Sequence, residues 1–293
     1  MSNTLKDKVL FITGASRGIG EAIALRAARD GAKIAVVAKT TEPHPTLPGT
    51  IYTAVDKIKR AGGDAIGIQC DIRDENQVKA AIEKTVAVFG GIDIVVNNAS
   101  AIYLKNTEEA DVSRFDLMNS INSRGAWVVS KYAIPHLKKS TNPHILTLSP
   151  PLNMKQKWFT TNTAYTMAKY GMSMTVMGLA GELKKYGVSV NALWPLTTIE
   201  TAALIVVATK NSNLVSRKPE IMADSAHLIL TQKSTSTTGN FYIDETLLRN
   251  HGVTDMEQYS CIPGTKEHEF TIDGYIDTQE MQDLVKSRNK SKL

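Results

Sequence analysis

Cysteine is scarce in this sequence of 293 residues, which contains only Cys70 and Cys261. Two cysteines so far apart provide neither a disulfide framework nor the paired spacing of a zinc site. Aromatic residues make up 6 % of the chain, and no basic stretch is interleaved with them, as a nucleic-acid interface requires. We therefore expect no metal and no nucleic acid among the ligands.

Long apolar runs are also missing. No stretch reaches the ~20 apolar residues that a membrane helix needs, so we expect no membrane span. The first eight residues, MSNTLKDK, lack an apolar core and include an acid, which is unlike a secretory signal or a transit peptide. The net charge of +5 is spread along the chain, as on an ordinary solvated surface.

The sequence instead shows a regular alternation of strand and helix patterns. Apolar runs rich in β-branched residues predict strands over residues 8–13, 32–38, 65–70, 92–96, 144–148, 188–194 and 239–244. Helical periodicity predicts helices over residues 21–30, 51–61, 75–89, 112–134 (ended by Pro135), 162–183, 201–209 and 219–232. This alternation predicts an α/β fold: a single doubly wound, Rossmann-type parallel sheet with helices on both faces. We assign residues 1–248 to one nucleotide-binding domain and residues 249–293 to a C-terminal extension.

A glycine-rich turn, TGASRGIG at residues 13–20, lies between the first strand and the first helix. Gly14 permits a tight turn, Gly18 lets the backbone approach a pyrophosphate, and Gly20 allows close packing. The helix N-terminus adds a partial positive charge that favours phosphate. The position of the turn between strand and helix makes the pattern specific. It predicts a cofactor site formed by Gly14, Ala15, Ser16, Arg17, Gly18, Ile19 and Gly20.

The end of the second strand predicts which cofactor binds. In dinucleotide-binding units an acid at this point binds the ribose 2′-hydroxyl of NAD, whereas a base accommodates the 2′-phosphate of NADP. Lys39 occupies the position here, and Arg17 lies in the glycine turn. We therefore predict NADP(H). Asp71, directly after the third strand, is placed to accept a hydrogen bond from the adenine amino group.

Tyr165 and Lys169 lie four residues apart in a predicted helix, so they share one face. A nearby ammonium favours the phenolate and lowers the pKa of a tyrosine. A tyrosine tuned in this way can exchange a proton with a substrate oxygen. A tyrosine and a lysine at this spacing, taken alone, more often lie on an ordinary exposed helix face. Whether these two are catalytic therefore depends on the other motifs in the chain.

Six features in this order resemble the short-chain dehydrogenase/reductase family over residues 6–248. They are the glycine turn at 13–20, Asp71, the NNAS run at 97–100, Asn122, the YTMAK run at 165–169 and Pro195. The resemblance implies that Tyr165 is the general acid/base, that Lys169 lowers its pKa and holds the nicotinamide ribose, and that Asn122 kinks its helix and holds a relay water. It also implies a set of cofactor contacts: Gly14, Ser16, Arg17, Ile19 and Lys39 around the phosphates, and Asp71 and Asn98 at the adenosine half.

One position departs from the family pattern. The serine that orients the substrate usually stands second after the fifth strand, and here that register holds Pro150. Ser149 stands one position earlier. We keep two interpretations open: Ser149 replaces the family serine as a catalytic residue, or it is a turn residue that bonds its own backbone.

The chain ends in Ser291, Lys292 and Leu293, the tripeptide that a peroxisomal import receptor reads as an address. The residues before it are polar and basic, which suits an exposed terminus. We therefore expect a peroxisomal protein with the import receptor as a partner.

Together these features predict an NADP(H)-dependent oxidoreductase that interconverts a carbonyl and an alcohol. The apolar residues 201–209 suggest a lipid-like small-molecule substrate, and the resemblance implies a homo-oligomer paired through its long helices. The displaced serine motivates an alternative: a nucleotide-binding module with little or no turnover that serves lipid or protein binding.

Overall fold

The computed structural model describes residues 4–44, 47–202, 204 and 215–277. Its centre is a seven-stranded sheet in the order β3-β2-β1-β4-β5-β6-β7, and every neighbouring pair is parallel. The strands are β1 Val9–Thr13, β2 Lys33–Ala38, β3 Asp64–Gln69, β4 Ile94–Asn97, β5 His144–Thr147, β6 Ser189–Trp194 and β7 Phe241–Ile243. The predicted doubly wound parallel sheet is confirmed.

Helices cover both faces of the sheet. They are α1 Gly18–Ala28, α2 Ile51–Arg60, α3 Glu75–Phe89, α4 Val112–Met118, α5 Ala126–Leu137, α6 Thr163–Leu183, α7 Glu220–Leu230 and α8 Asp244–Asn250. Side chains along a strand point alternately to the two faces. On β1, Leu10 and Ile12 join the core under α1, α2 and α7, whereas Phe11 joins the core under α3, α5 and α6. Because both faces are buried, the strands are apolar throughout, which is why they read as continuous runs in the sequence.

The predicted helix over residues 112–134 is interrupted in the structure. A π-helical segment, Asn119–Gly125, separates α4 from α5, and such segments often occur at functional sites. The segment packs closely on α6, since a Cβ at Gly171 would lie 2.3 Å from the Ser123 hydroxyl. The prediction that Pro135 ends the helix is wrong: α5 continues to Leu137 with the proline inside it. The proline gives up its own N–H bond to the preceding turn, and the helix ends within one turn of it.

The strand order reverses direction between β1 and β4, and open α/β sheets bind ligands at the carboxyl ends of the strands beside such a point. The predicted helix 201–209 falls largely outside the described residues. Within the described ranges, no helix is long and apolar enough to span a membrane. Over the same ranges, no three His, Cys, Asp or Glu side chains gather where a metal ion could bind.

Candidate active site

A cleft of about 530 Å³ runs along the carboxyl ends of the strands. The glycine turn and Lys39 line one end, and Tyr165 and Lys169 line the other. The fold therefore brings together most of the residues that the sequence singled out, and these are Gly14, Ser16, Arg17, Gly18, Ile19, Lys39, Asp71, Asn98, Tyr165 and Lys169. The other predicted site residues, Ala15, Gly20, Asn122 and Ser149, do not line this cleft.

The glycine turn is shaped by close backbone approach. Gly14 has a φ of +66°, and a Cβ on it would lie 2.9 Å from the Cα of Ala99. A Cβ on Gly20 would lie 2.5 Å from the side-chain nitrogen of Asn98. That nitrogen donates to the carbonyl oxygens of Thr13 at 2.9 Å and Gly14 at 3.1 Å. In this structure Asn98 therefore holds the glycine turn against β4, in addition to lining the cleft.

The start of α1 fits a phosphate group. Arg17 precedes the helix in an extended conformation, and its side chain forms no capping hydrogen bond. The first N–H groups of a helix have no partners within it, and here they follow Gly18, which lines the cleft. An uncapped helix start beside a glycine turn is a site to which phosphate binds, so the residues present fit the diphosphate of a dinucleotide.

Arg17 is tied to the proline-rich loop after β2. Its Nε donates to the carbonyl oxygen of Pro48 at 2.9 Å, and its Nη2 donates to that of Gly49 at 2.7 Å. Burial lowers the pKa of Arg17 from its ordinary value, and Glu21 opposes that shift. Two of the five donors of Arg17 are therefore engaged within the protein.

Lys39 extends into solvent at the same end of the cleft, with 58 % of its side chain exposed and its Nζ 3.9 Å from Asp71. Asp71 bonds more closely to Arg73, whose Nε lies 3.0 Å from both carboxylate oxygens. This pairing with Arg73 is the main cause that lowers the pKa of Asp71. In this structure the Asp71 carboxylate accepts hydrogen bonds from Arg73. Its hydrogen bond to adenine stays a prediction.

Tyr165 and Lys169 project from α6 into the cleft, with 8 % and 3 % of their surface exposed. Lys169 Nζ donates to the carbonyl oxygen of Leu148 at 2.7 Å and lies 4.8 Å from the centre of the Trp194 ring. Burial lowers the pKa of Lys169 to about 7, which Asp273 partly opposes. Burial raises the pKa of Tyr165 well above its usual range, and Tyr275 and Asp273 act in the same direction.

The shift of Tyr165 is opposite to the sequence prediction of a pKa lowered by Lys169. The reason is desolvation, which disfavours the phenolate, together with the nearby carboxyl group. At neutral pH Tyr165 is therefore in the phenol form, which can donate a proton.

Asn122 lies in the π-helical segment and is fully buried. Its side-chain oxygen accepts from the backbone N–H of Ala101 at 2.7 Å, and its nitrogen donates to the Ala101 carbonyl at 3.0 Å. These bonds attach the segment after β4 to the interrupted helix. The predicted relay water stays a prediction.

A family model described as short chain dehydrogenase matches residues 8–211. The chain belongs to the short-chain dehydrogenase/reductase family. Its members are oxidoreductases that use nicotinamide cofactors. This use agrees with the glycine turn and the start of α1, which fit the diphosphate of such a cofactor.

More similar proteins extend this comparison. The chain is 56 % identical to hydroxysteroid dehydrogenase-like protein 2 from Xenopus laevis over 268 residues. This aligned region covers 92 % of this chain and 63 % of that relative. The chain thus spans less than two thirds of the curated relative. Among solved structures it resembles a short chain dehydrogenase from Mycobacterium thermoresistibile, with 51 % identity, a TM-score of 0.88 and coverage of 94 % and 96 % of the two chains. It also resembles a putative dehydrogenase from Xanthomonas campestris, with 47 % identity, a TM-score of 0.88 and coverage of 94 % and 99 %.

Ser149 is the residue for which the sequence left a catalytic and a structural interpretation open. Its side chain is 0 % exposed, and its hydroxyl has no hydrogen-bond partner among the residues that the structure describes. Proline at position 150 favours an extended residue 149, and neighbouring side chains in extended chain point to opposite sides. The hydroxyl is buried and is not among the groups that line the cleft with Tyr165, and it does not bond its own backbone either.

Sequence reasoning missed two residues beside Tyr165 at this end of the cleft. Asp273 lines it, and the ring of Tyr275 lies 6.1 Å from that of Tyr165 and 5.9 Å from that of Trp194. Both Asp273 and Tyr275 come from the extension after residue 248, which reads as polar and irregular. No local pattern marks them, because only the folded chain brings them to α6.

Proposed function

We propose that this short-chain dehydrogenase is a peroxisomal, NADP(H)-dependent enzyme that interconverts a carbonyl and an alcohol on a lipid-like substrate. The observation that carries the proposal is the shared cleft. A glycine turn that fits the diphosphate of a dinucleotide lies at one end, and the buried Tyr165 phenol and Lys169 amine lie at the other. A cofactor and a proton donor can therefore serve one substrate there.

The chemistry divides between cofactor and chain. A nicotinamide cofactor supplies or takes up the hydride. Tyr165 donates the proton to the carbonyl oxygen during reduction, and burial, which raises its pKa, further favours the phenol form. Lys169 is held by the Leu148 carbonyl within the same cleft, where its amine can bind a ribose hydroxyl. For the reverse reaction, protons must leave the Tyr165 phenol, so alkaline pH should favour oxidation.

The choice of NADP(H) is supported by the charges at the glycine end. Lys39 replaces the carboxylate that would bind the 2′-hydroxyl of NAD, and most of its side chain is exposed beside the cleft. Arg17 lines the same end, although two of its donors bind the loop carbonyls of Pro48 and Gly49. Lys39 is therefore the cation better placed to receive a 2′-phosphate.

A lipid-like substrate is supported by the walls of the cleft. Apolar side chains contribute much of its surface, among them Ile102, Ile121, Leu148, Ile199, Leu204 and Met222. Pockets with apolar walls and a few polar groups bind ligands of that character. Peroxisomal import rests on Ser291, Lys292 and Leu293 alone, which lie outside the described residues.

A homo-oligomer is supported by an apolar stripe on α6. Met167, Met174 and Met177 are 48 %, 54 % and 57 % exposed, and their spacing of seven and three residues puts them on one face. Exposed apolar stripes of this kind mark contact surfaces between proteins. Light scattering should report an assembly larger than one chain, and Met174→Lys should shift it towards the monomer.

The alternative is a nucleotide-binding module with little turnover. It is supported by the Ser149 hydroxyl, which is buried and not among the lining groups of the cleft, because the resemblance implies a serine that orients the substrate at this point. The deciding experiment measures NADPH binding and NADPH consumption with a panel of aliphatic ketones and aldehydes. Consumption that requires Tyr165 supports the enzyme, whereas tight NADPH binding without consumption of any carbonyl would favour the alternative.

A further inference from the structure

A segment from the C-terminal extension, residues 271–277, forms one wall of the cleft, and we call it the strap. Its backbone pairs with the chain after β6: the Thr198 N–H donates to the Thr271 carbonyl at 2.9 Å, and the Asp273 N–H donates to the Leu196 carbonyl at 2.9 Å. At its far end, Asp277 forms ion pairs with Lys155 at 3.0 Å and Lys157 at 3.3 Å. The strap is therefore attached to both segments that border the substrate end of the cleft.

The middle of the strap is anchored by aromatic packing. The Tyr275 ring lies among those of Trp158, Tyr165, Tyr170 and Trp194, at centroid distances from 5.9 to 6.4 Å. Its hydroxyl lies 2.8 Å from the Thr166 hydroxyl. A residue fixed at so many points holds its neighbours in one place, including Asp273 two residues earlier.

Asp273 turns a carboxyl group towards the reacting end of the cleft. Its Oδ1 accepts from the Trp194 indole at 2.7 Å and from the Tyr275 N–H at 2.9 Å. Its Oδ2 has no donor among the residues that the structure describes, while the residue lines the same cleft as Tyr165 and Lys169. One oxygen is thus used for positioning, and the other remains for a ligand.

The charges around Asp273 are few. Arg17, Lys39 and Asp71 lie at the glycine end of the cleft, and Lys169 is the only described lysine or arginine that lines it near Tyr165. Burial lowers the pKa of Lys169 to about 7, so above neutral pH this amine is mostly uncharged. Burial raises the pKa of Asp273, which the Tyr275 N–H and the Trp194 indole partly oppose. Two donors, the Trp194 indole and the Tyr275 N–H, therefore stabilise the carboxylate form of Asp273 against that burial.

We propose that Asp273 is a specificity-determining residue that selects uncharged head groups bearing an N–H or O–H donor and rejects carboxylates. The free oxygen accepts a hydrogen bond from the donor, and a carboxylate in its place would be repelled and left without a partner. The proposal rests on the proposed function, because it names the substrate class of that site: neutral lipids that carry a hydroxyl or an amide N–H, rather than free fatty acids.

The test is a binding cycle with two isosteric pairs. Octanamide carries a neutral NH₂ group where octanoate carries a charged oxygen. The side chains of Asn and Asp differ in the same way. Calorimetric titration at pH 8, with and without NADPH, should show that the wild-type protein binds octanamide at least tenfold more tightly than octanoate. Asp273→Asn keeps an oxygen for Trp194 and Tyr275 but provides a donor, so the ratio should fall below threefold through a gain in octanoate affinity.

A matched control is Asp277→Asn, which removes a carboxylate from the same strap but outside the cleft. It should leave the wild-type ratio unchanged, and a ratio that falls there as well would overturn the proposal in favour of a loosened strap. An unchanged ratio in Asp273→Asn, or failure of the wild-type protein to bind either probe, would also overturn it. These titrations need no turnover, so they can fail while NADPH consumption supports the proposed function, or succeed while consumption is absent.

Discussion

Lys169 Nζ donates a 2.7 Å hydrogen bond to the carbonyl oxygen of Leu148, the first residue after β5. A second bond, from the Ser173 hydroxyl to the Pro150 carbonyl at 2.6 Å, joins the same helix to the same segment. Because α6 carries Tyr165, these bonds fix the phenol relative to the sheet. The pair at 165 and 169 is therefore part of the protein interior, unlike the exposed helix face that such a spacing usually indicates.

Tyr165→Phe tests the proton donor. The variant keeps the ring in its aromatic surroundings and removes only the hydroxyl. We expect carbonyl reduction to fall by about 10² or more, the scale of a lost general acid, while NADPH affinity stays within about twofold. Tyr186→Phe is the control, since Tyr186 is 45 % exposed and lies outside the cleft. Turnover near the wild-type value in Tyr165→Phe would exclude this mechanism.

Lys169→Met tests the buried amine through stability. The pKa of Lys169 is lowered to about 7 in the folded chain, compared with about 10.4 for an unfolded lysine. Between these values the folded chain binds fewer protons than the unfolded chain, so stability increases as the pH rises through this window. We expect the variant to gain most in free energy of unfolding, relative to wild type, near pH 6, and the gain to shrink towards about pH 9.

Urea unfolding at several pH values measures this difference. Lys184→Met serves as control, because Lys184 follows α6 on the exposed surface and the variant makes the same substitution without removing a buried amine. A difference between Lys169→Met and wild type that is constant from about pH 6 to pH 9 would contradict a buried amine with a lowered pKa.

Lys39→Asp tests the choice of cofactor. A carboxylate at this position would repel the 2′-phosphate and accept from a 2′-hydroxyl. A hydrogen bond to a charged group contributes about 1.5–3 kcal/mol, so the NADPH to NADH preference should shift by roughly one to two decades. Lys33→Asp makes the same charge change at the other end of β2 and should leave the preference unchanged. If Lys39→Asp also leaves it unchanged, the 2′-phosphate must be bound by Arg17.

The sequence predicted what depends on local pattern. Apolar runs located the strands, and the glycine turn was found because Gly14 and Gly20 occupy positions where a Cβ would collide with Ala99 or Asn98. The pKa of Tyr165 could not be predicted in this way. Its direction depends on how completely α6 is covered, and residues more than 100 positions away, Asp273 and Tyr275, provide part of that cover. The bonds between Arg17 and the loop carbonyls likewise require the folded loop.

Deletion of residues 291–293 tests the predicted address. The shortened protein should fold with the wild-type melting temperature but stay in the cytosol instead of entering peroxisomes, because the receptor reads only the terminal tripeptide. Replacing residues 288–290 by alanine is the control and should leave import intact. Entry of the shortened protein into peroxisomes of cells that lack the full-length chain would show that the signal lies elsewhere.

Ser149→Ala tests the departure from the family. The hydroxyl is fully buried, has no partner among the described residues and does not belong to the cleft. We therefore expect a loss of turnover below about threefold, which is under ~0.7 kcal/mol in the barrier. Stability should be unchanged or slightly higher, since removing a buried hydroxyl without a partner removes its desolvation cost.

Ser173→Ala is the contrasting control, because its hydroxyl donates to the Pro150 carbonyl at 2.6 Å and its loss should lower the melting temperature. A loss of about 10² in turnover for Ser149→Ala, the scale of a lost catalytic hydrogen bond, would contradict the placement of the hydroxyl. It would mean that the segment after β5 turns in the working enzyme so that Ser149 meets the substrate oxygen beside Tyr165. A small loss would mean that proton transfer depends on Tyr165 and Lys169 without a serine, or, if turnover is absent, that the alternative of a non-catalytic module gains support.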